Sequence, residues 1–173
     1  MIKIKFLIFI VIISCFYCCD KLFPDEKLSL QRIDYKGNEL QTNGYYYCYF
    51  AQTDVTAIYF LYRNGIIRYI GGYSRYNEDN REQEIIKYYN KSVKTDWGVF
   101  VVDANSIQYE TWEARPSGVS ACIRRRSGYI ENDTTFCITE SYYSGRNETK
   151  QVNEIYHFKQ FENKPDSTNI YVK

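Results

Sequence analysis

Residues 56–70 read TAIYFLYRNGIIRYI, which is two apolar runs joined by Asn64 and Gly65. Aromatic and β-branched side chains dominate both runs, and residues of these types favour β-strands. An Asn-Gly connection between two apolar runs is a strong indication of a β-hairpin, because both turn residues tolerate positive φ. This stretch therefore predicts two antiparallel strands and makes an all-β fold the first expectation.

Similar runs, separated by turn residues, occur on both sides of this hairpin. An aromatic run at 44–50 precedes it, and apolar or alternating runs follow it as far as residue 161. Short strands broken by turn residues at regular intervals are typical of all-β proteins. The sequence predicts eight strands, at 44–50, 56–63, 66–70, 97–102, 106–112, 119–130, 134–143 and 154–161.

One segment has a helical pattern instead. Asn80 is a candidate N-cap, and Gln83 three residues later completes a capping-box pattern. The sequence therefore predicts one short amphipathic helix after the third strand. The apolar side chains on its predicted stripe are Ile85, Ile86, Tyr89 and Val93.

The strands follow one another as an antiparallel meander without obvious edge-blocking residues. Closing such a sheet into a barrel removes its unpaired edges, so an eight-stranded barrel is the expected architecture. A two-sheet sandwich is the alternative. A barrel of this size is either packed solid or holds one small ligand.

The N-terminus indicates export. Lys3 and Lys5 precede eight uncharged apolar residues at 6–13, and Ser14 and Cys15 follow them. A basic segment, an apolar segment and a small residue form a secretory signal peptide. Eight residues are too few to span a membrane. The sequence IISC at 12–15 resembles a bacterial lipobox, which implies cleavage before Cys15 and lipidation of its thiol.

Two alternatives to that site remain open, an ordinary signal peptide and lipidation at Cys18 or Cys19. The expected organisation is a signal peptide at 1–14, a lipidated tether at 15–40 and a barrel domain at 41–173. The protein is then expected in the bacterial envelope, held to the outer membrane by its N-terminal lipid, as a monomer.

Composition restricts the function further. Lysine and arginine total 22 against 21 acidic residues, so there is no electrostatic case for nucleic acid. If Cys15 carries lipid, an odd number of cysteines remains, and at least one stays free or pairs between chains. The sequence does not settle how they pair. The five cysteines are Cys18, Cys19, Cys48, Cys122 and Cys137.

The chain resembles small bacterial lipoproteins with a lipocalin-like (calycin) barrel. The resemblance covers about residues 40–167. The chain lacks the Gly-x-Trp of secreted lipocalins, and its helix follows the third strand, whereas lipocalins have theirs after the eighth. The resemblance therefore implies an architecture and no ligand site. It rests on the lipobox cysteine, the aromatic first strand at 44–50, the hairpin GYIENDTTF at 128–136, FKQF at 158–161 and KPDS at 164–167.

The sequence gives no support for catalysis. His157 is the only histidine, and it lies within a predicted strand. No nucleophile motif, metalloprotease motif or phosphate-binding loop occurs. Cys15 and Cys18 have C-x-x-C spacing, but no second pair accompanies them as a zinc site requires, and lipidation would consume Cys15. A glycosidase-like carboxylate pair would have to come from Asp103, Glu110 or Glu113. We expect no enzyme activity, no cofactor and no metal site.

Arg124, Arg125 and Arg126 follow one another within a predicted strand. Side chains along a strand alternate between its faces, so all three cannot point to solvent from a regular strand. An inward arginine needs an internal carboxylate, water or an anionic ligand, because an unpaired buried charge is very costly. The hypothesis is that one of them binds a carboxylate or phosphate group. The alternative places all three at the barrel rim, with Glu140 nearby.

Period-two alternation also predicts which side chains point into the barrel, namely Ile107, Tyr109, Phe136, Ile138, Tyr156 and Phe158. The predicted function is binding of a small apolar or amphipathic ligand inside the barrel. The alternative is an interaction module with a solid core that binds a partner protein or glycan through its loops. The candidate ligand-binding residues are Tyr109, Arg124, Arg125, Arg126, Phe136, Tyr156 and Phe158.

Overall fold

A computed structural model of the protein describes residues 24–74, 80–115, 118 and 120–173. It confirms the all-β prediction, with eight antiparallel strands and one short helix after the third strand. Cys15 and the rest of the predicted signal peptide lie outside the described residues. The elements are β1 (Gly44–Phe50), β2 (Val55–Leu61), β3 (Ile66–Ser74), α1 (Arg81–Tyr88), β4 (Trp97–Asp103), β5 (Ser106–Ala114), β6 (Ala121–Asn132), β7 (Thr135–Tyr143) and β8 (Glu148–Gln160).

The sheet closes on itself, because β1 pairs with β8 as well as with β2. This closure confirms the barrel rather than the sandwich. Two glycines allow neighbouring strands to approach closely: a Cβ on Gly98 would lie 1.8 Å from the Glu110 carbonyl oxygen, and one on Gly128 would lie 1.9 Å from that of Cys137. Glycine at such positions permits the sharp coiling that a small barrel requires.

Several element boundaries differ from the sequence prediction. The helix ends at Tyr88 rather than continuing to Val93, and the Asn80 side chain makes no capping hydrogen bond. Strand β3 continues through Gly71 because a bulge in the β2–β3 pair accommodates its φ of 103°. Strand β8 begins at Glu148 since its polar N-terminal half pairs with β7. Backbone pairing therefore extends beyond the apolar runs.

The barrel interior contains one cluster of buried side chains. All six positions that alternation predicts to be inward pack in or against this cluster. One end of the barrel is plugged by Tyr35 and Leu40 from the segment before β1, and the Leu40 amide donates to the Tyr35 hydroxyl at 2.7 Å. We call this end, with the β2–β3, β4–β5 and β6–β7 turns, the closed end.

A second apolar cluster lies outside the barrel, on the outer face of β1–β6. It is covered by residues 24–32, helix α1 and residues 161–173, which we call the outer layer. Residues 24–40, assigned to a tether from the sequence, therefore pack against the barrel. In the C-terminal part, the Lys164 ammonium donates to the Thr42 and Leu61 carbonyl oxygens at 2.7 and 2.6 Å.

The described cysteines, Cys48, Cys122 and Cys137, are buried and free of disulfide bonds. Cys48 points into the barrel cluster. None of the described helices has the length and apolar character needed to cross a membrane.

Candidate functional site: the mouth of the barrel

The end opposite the closed end is the mouth of the barrel, where the β1–β2 and β7–β8 connections lie. Its inner wall on β6–β8 is built from two adjacent rungs of directly opposed residues. Arg126 faces Tyr109 and Ser141 in the neighbouring strands, and Ser141 faces Lys150. One rung further out, Arg124 faces Tyr143, which faces Glu148. Because opposed residues share a face of the sheet, these rungs bring charged side chains to the inside of the mouth.

Arg126 points into the barrel and forms an ion pair with Glu154. Only 14% and 12% of their side-chain surfaces are exposed. The Tyr156 hydroxyl donates to the same Glu154 oxygen at 2.8 Å and lies 3.2 Å from Arg126 Nη1. An internal carboxylate thus balances the charge of this arginine. Its Nε has no hydrogen-bond partner in the described structure.

Arg124 lies at the outer rung of the same face. Its Nε donates to Glu113 at 2.5 Å, its Nη1 donates to the Ser141 hydroxyl at 3.2 Å, and the guanidinium carbon is 4.6 Å from the Tyr143 ring centroid. A guanidinium has five N–H donors, so donors remain after these contacts. They border a cavity of about 200 Å³ lined by Arg124, Ser141, Tyr143, Arg146, Glu148 and Lys150.

Arg125 lies on the opposite face of β6, under the outer layer. It bonds to Glu110, whose side chain is fully buried and also accepts from the Ser29 amide at 2.6 Å and the Leu30 amide at 3.0 Å. Burial acts to raise the pKa of Glu110, but these hydrogen bonds outweigh it and lower that pKa. This ion pair therefore holds the N-terminal segment against the wall.

A layer of tyrosines, which begins at the rung that Tyr109 shares with Arg126, fills the centre of the barrel. The Tyr59 ring centroid lies 5.1 Å from that of Tyr69, 5.3 Å from that of Tyr109 and 5.6 Å from that of Tyr156. Phe136 stacks on Tyr156 at 4.9 Å. Burial raises the pKa of Tyr109 to about 12, so its hydroxyl stays protonated. The centre is therefore mainly aromatic, with hydroxyl groups that remain neutral.

Asp96, just before β4, is an acidic residue whose role the sequence did not indicate. Its φ is 94°, an uncommon conformation for a non-glycine residue. Its backbone is fixed by hydrogen bonds with the amide of Tyr69 and the carbonyl oxygen of Trp112, both 2.8 Å long. Burial raises the pKa of Asp96 to about 7; Arg68 opposes this shift and Glu113 adds to it. This carboxyl group is thus partly protonated near neutral pH.

The structure gathers most of the candidate ligand-binding residues in the interior. Arg125, on the outer face, is the exception. Glu154 was missed, although it lies two residues before Tyr156 and alternation alone would have placed it inside. Whether these residues contact a ligand stays a prediction. The gathered residues are Tyr109, Arg124, Arg126, Phe136, Tyr156 and Phe158.

The alternative carboxylates do not converge. Asp103 ends β4 at the closed end, Glu110 lies outside the barrel and Glu113 lies at the mouth. His157 is exposed on β8, with its ring 6.1 Å from that of Tyr47. Among the residues described, no group of three or more His, Cys, Asp or Glu side chains is arranged to hold a metal ion.

Comparison with protein-family models, curated proteins and solved structures found no match to this chain.

Proposed function

We propose that this protein is a lipid-anchored, non-catalytic binding protein of the bacterial envelope. In this proposal Cys15 carries the anchor, and the mouth of the barrel holds a small amphipathic ligand. A closed eight-stranded barrel is compatible with such a role.

The observation that carries the proposal is the layering of the interior. Charged side chains of Arg124, Arg126 and Glu154 lie at the mouth end of the tyrosine layer, so an amphipathic molecule would meet polar groups at one end and aromatic rings at the other. Arg126 Nε is buried and has no hydrogen-bond partner among the described residues. Buried polar groups without partners are costly, and a polar group of a ligand, or a bound water, would satisfy them.

The aromatic filling limits how deep such a ligand can reach. Tyr59, Tyr109 and Tyr156 are in ring contact and fill the centre, so the site we propose is a shallow cup at the mouth. The same filling favours the second candidate function, an interaction module with a solid core. Its partner protein or glycan would contact the connecting loops.

Native mass spectrometry of the full chain, before and after organic extraction, tests the ligand. An extra mass that extraction removes supports a ligand-binding barrel and identifies the class of its occupant. Arg124→Met should abolish that mass, whereas the matched variant Arg125→Met should retain it because Arg125 lies outside. A clean protein mass that a panel of lipids and bile acids leaves unchanged would favour the interaction module.

The anchor has its own test. Cells expressing the wild-type chain or Cys15→Ser are labelled with radioactive palmitate and separated into soluble and membrane fractions. We expect label and membrane association to be lost in Cys15→Ser and kept in Cys18→Ser and Cys19→Ser. Label retained in Cys15→Ser would contradict lipidation at this residue.

A further inference from the structure

A cavity of about 650 Å³ lies outside the barrel, between the two terminal segments of the outer layer. Pockets that hold small molecules usually have volumes of about 300–1,000 Å³. The N-terminal segment forms one side and residues 171–173 form the other, while β4 and β5 supply the floor. It does not involve the rungs of the mouth.

The cavity is apolar where it meets the barrel wall. Trp112 and Val99, both nearly fully buried, form the floor. The Trp112 indole nitrogen donates to the Glu26 carbonyl oxygen at 2.7 Å, which fixes the ring. Aromatic and aliphatic walls of this kind suit an alkyl chain. The side walls are Leu28, Leu30, Tyr171 and Val172.

The rim carries an excess of positive charge. Of its two carboxylates, Asp25 pairs with Lys94 at 2.7 Å, and Glu26 pairs with Arg115. Lys27, Arg32 and Lys173 also line the cavity, and none of the three forms an ion pair with a described residue. Three cations without carboxylate partners beside an apolar floor complement a molecule with an alkyl chain and a negative group.

The walls of the cavity are held in place before any ligand arrives. The amides of Ser29 and Leu30 donate to the buried Glu110 carboxylate. On the other side, the amides of Tyr171 and Val172 both donate to Asn169 Oδ1, at 2.9 and 2.7 Å. A preformed cavity loses little conformational entropy on binding.

We infer that this outer cavity is a second binding site, and that it takes a single-chain amphiphile with an anionic head. The alkyl chain would lie on Trp112 between the two terminal segments, and the head would lie near Lys27 and Arg32. The chain enters the described fold at Pro24, beside the cavity, so an anchor at Cys15 would keep it close to a membrane.

Trp112 supplies a direct measurement. The full chain in phosphatidylcholine nanodiscs is titrated with decanoate carrying a terminal bromine, which quenches tryptophan fluorescence on contact, and empty nanodiscs supply the baseline. We expect saturable quenching that Trp112→Phe removes, because the other tryptophan, Trp97, is fully buried. The neutral alcohol of the same length should bind about fivefold more weakly.

Variants that remove positive charge test whether the anionic head lies near Lys27 and Arg32 in the outer cavity. Lys27→Gln combined with Arg32→Gln should weaken decanoate binding by about fivefold. Both residues are exposed, so folding should be unaffected. Lys36→Gln, on the same segment but outside the cavity, should have no effect. Equal affinity for acid and alcohol would overturn the anionic class. Absence of Trp112 quenching, or quenching lost in Arg124→Met, would overturn the site.

Discussion

Arg125 and Arg126 are neighbours in β6, yet they belong to different regions of the molecule. Arg125 faces outward with 44% of its side chain exposed, and its partner Glu110 is fully buried. Arg126 faces inward, and both it and Glu154 are largely buried. Outside, the buried group is a carboxylate that holds the N-terminal segment. Inside, the whole ion pair is enclosed and forms part of the lining of the mouth.

Two adjacent residues of a strand point to opposite faces of the sheet. Arg125 can therefore have a structural role while Arg126 belongs to a candidate binding site. The outer carboxylate accepts hydrogen bonds from Ser29 and Leu30 as well as from Arg125, so losing one donor leaves the others. The inner pair depends on a single carboxylate. The two regions should therefore respond differently to substitution.

The largest effect is expected from breaking the inner pair. Glu154→Ala should lower the free energy of unfolding by about 3–5 kcal/mol, because it leaves the Arg126 guanidinium buried without its carboxylate. Urea denaturation measures this change. The double variant Arg126→Met with Glu154→Leu should recover most of the stability. A loss below about 1 kcal/mol in Glu154→Ala would mean that Arg126 reaches water through the mouth.

Glu110→Ala tests the outer pair. We expect a loss of about 2–3 kcal/mol, since several donors lose their acceptor while Arg125 can turn to solvent. Hydrogen exchange at the Ser29 and Leu30 amides should become faster, while exchange inside the barrel stays slow. Glu140→Ala, a carboxylate on the outer wall away from the outer layer, is the matched control. Unchanged exchange at Ser29 would contradict the role given to Glu110.

The carboxyl groups of Asp96 and Glu110 should make stability depend on pH in opposite directions. The raised pKa of Asp96 means that the folded state binds an extra proton between about pH 4 and 7, so the free energy of unfolding falls as pH rises through this window. Asp96→Asn should therefore be about 2 kcal/mol more stable than the wild type at pH 8, and about equal to it at pH 4. Thermal unfolding at both pH values measures this.

The lowered pKa of Glu110 acts in the opposite sense. The stabilisation that ionised Glu110 gives the folded state is fully present above its ordinary pKa of 4.5. It is lost as the pH falls through the lower pKa of the folded state. Asp103→Asn, at an exposed residue of β4, is the control for replacing a carboxylate by an amide. Equal effects of Asp96→Asn at pH 4 and pH 8 would show that Asp96 is not buried in solution.

The smallest effect is expected at Arg125. Arg125→Met should lower the free energy of unfolding by only about 1 kcal/mol, because Glu110 keeps its other donors and the arginine is partly exposed. Equilibrium denaturation detects this. If Arg125→Met lowered the free energy of unfolding as much as Glu154→Ala does, Glu110 would need Arg125 as strongly as Arg126 needs Glu154. That result would contradict the difference between the two regions.

The local sequence pattern correctly predicted features that depend only on neighbouring residues, namely turns and the face to which each strand side chain points. Asn64 and Gly65 predicted the β2–β3 hairpin, and the period-two alternation of apolar side chains predicted that Tyr109 and Tyr156 point into the barrel. Contacts between distant parts of the chain left no such pattern. Ser29 and Leu30 meet Glu110 through backbone amides, which have no sequence signature. Asp96 owes its raised pKa to burial at the junction of three strands, and no local pattern carries that information.

The burial of Cys48 inside the barrel has a consequence for redox chemistry. Burial raises the pKa of its thiol to about 11, so almost none of it is the reactive thiolate at neutral pH. While the barrel is folded, oxidants and disulfides meet an unreactive group. Once it unfolds, the thiols of Cys48, Cys122 and Cys137 become available together. In an oxidising compartment, scrambled disulfides would then trap the unfolded chain, so the unfolding rate sets the lifetime of the protein.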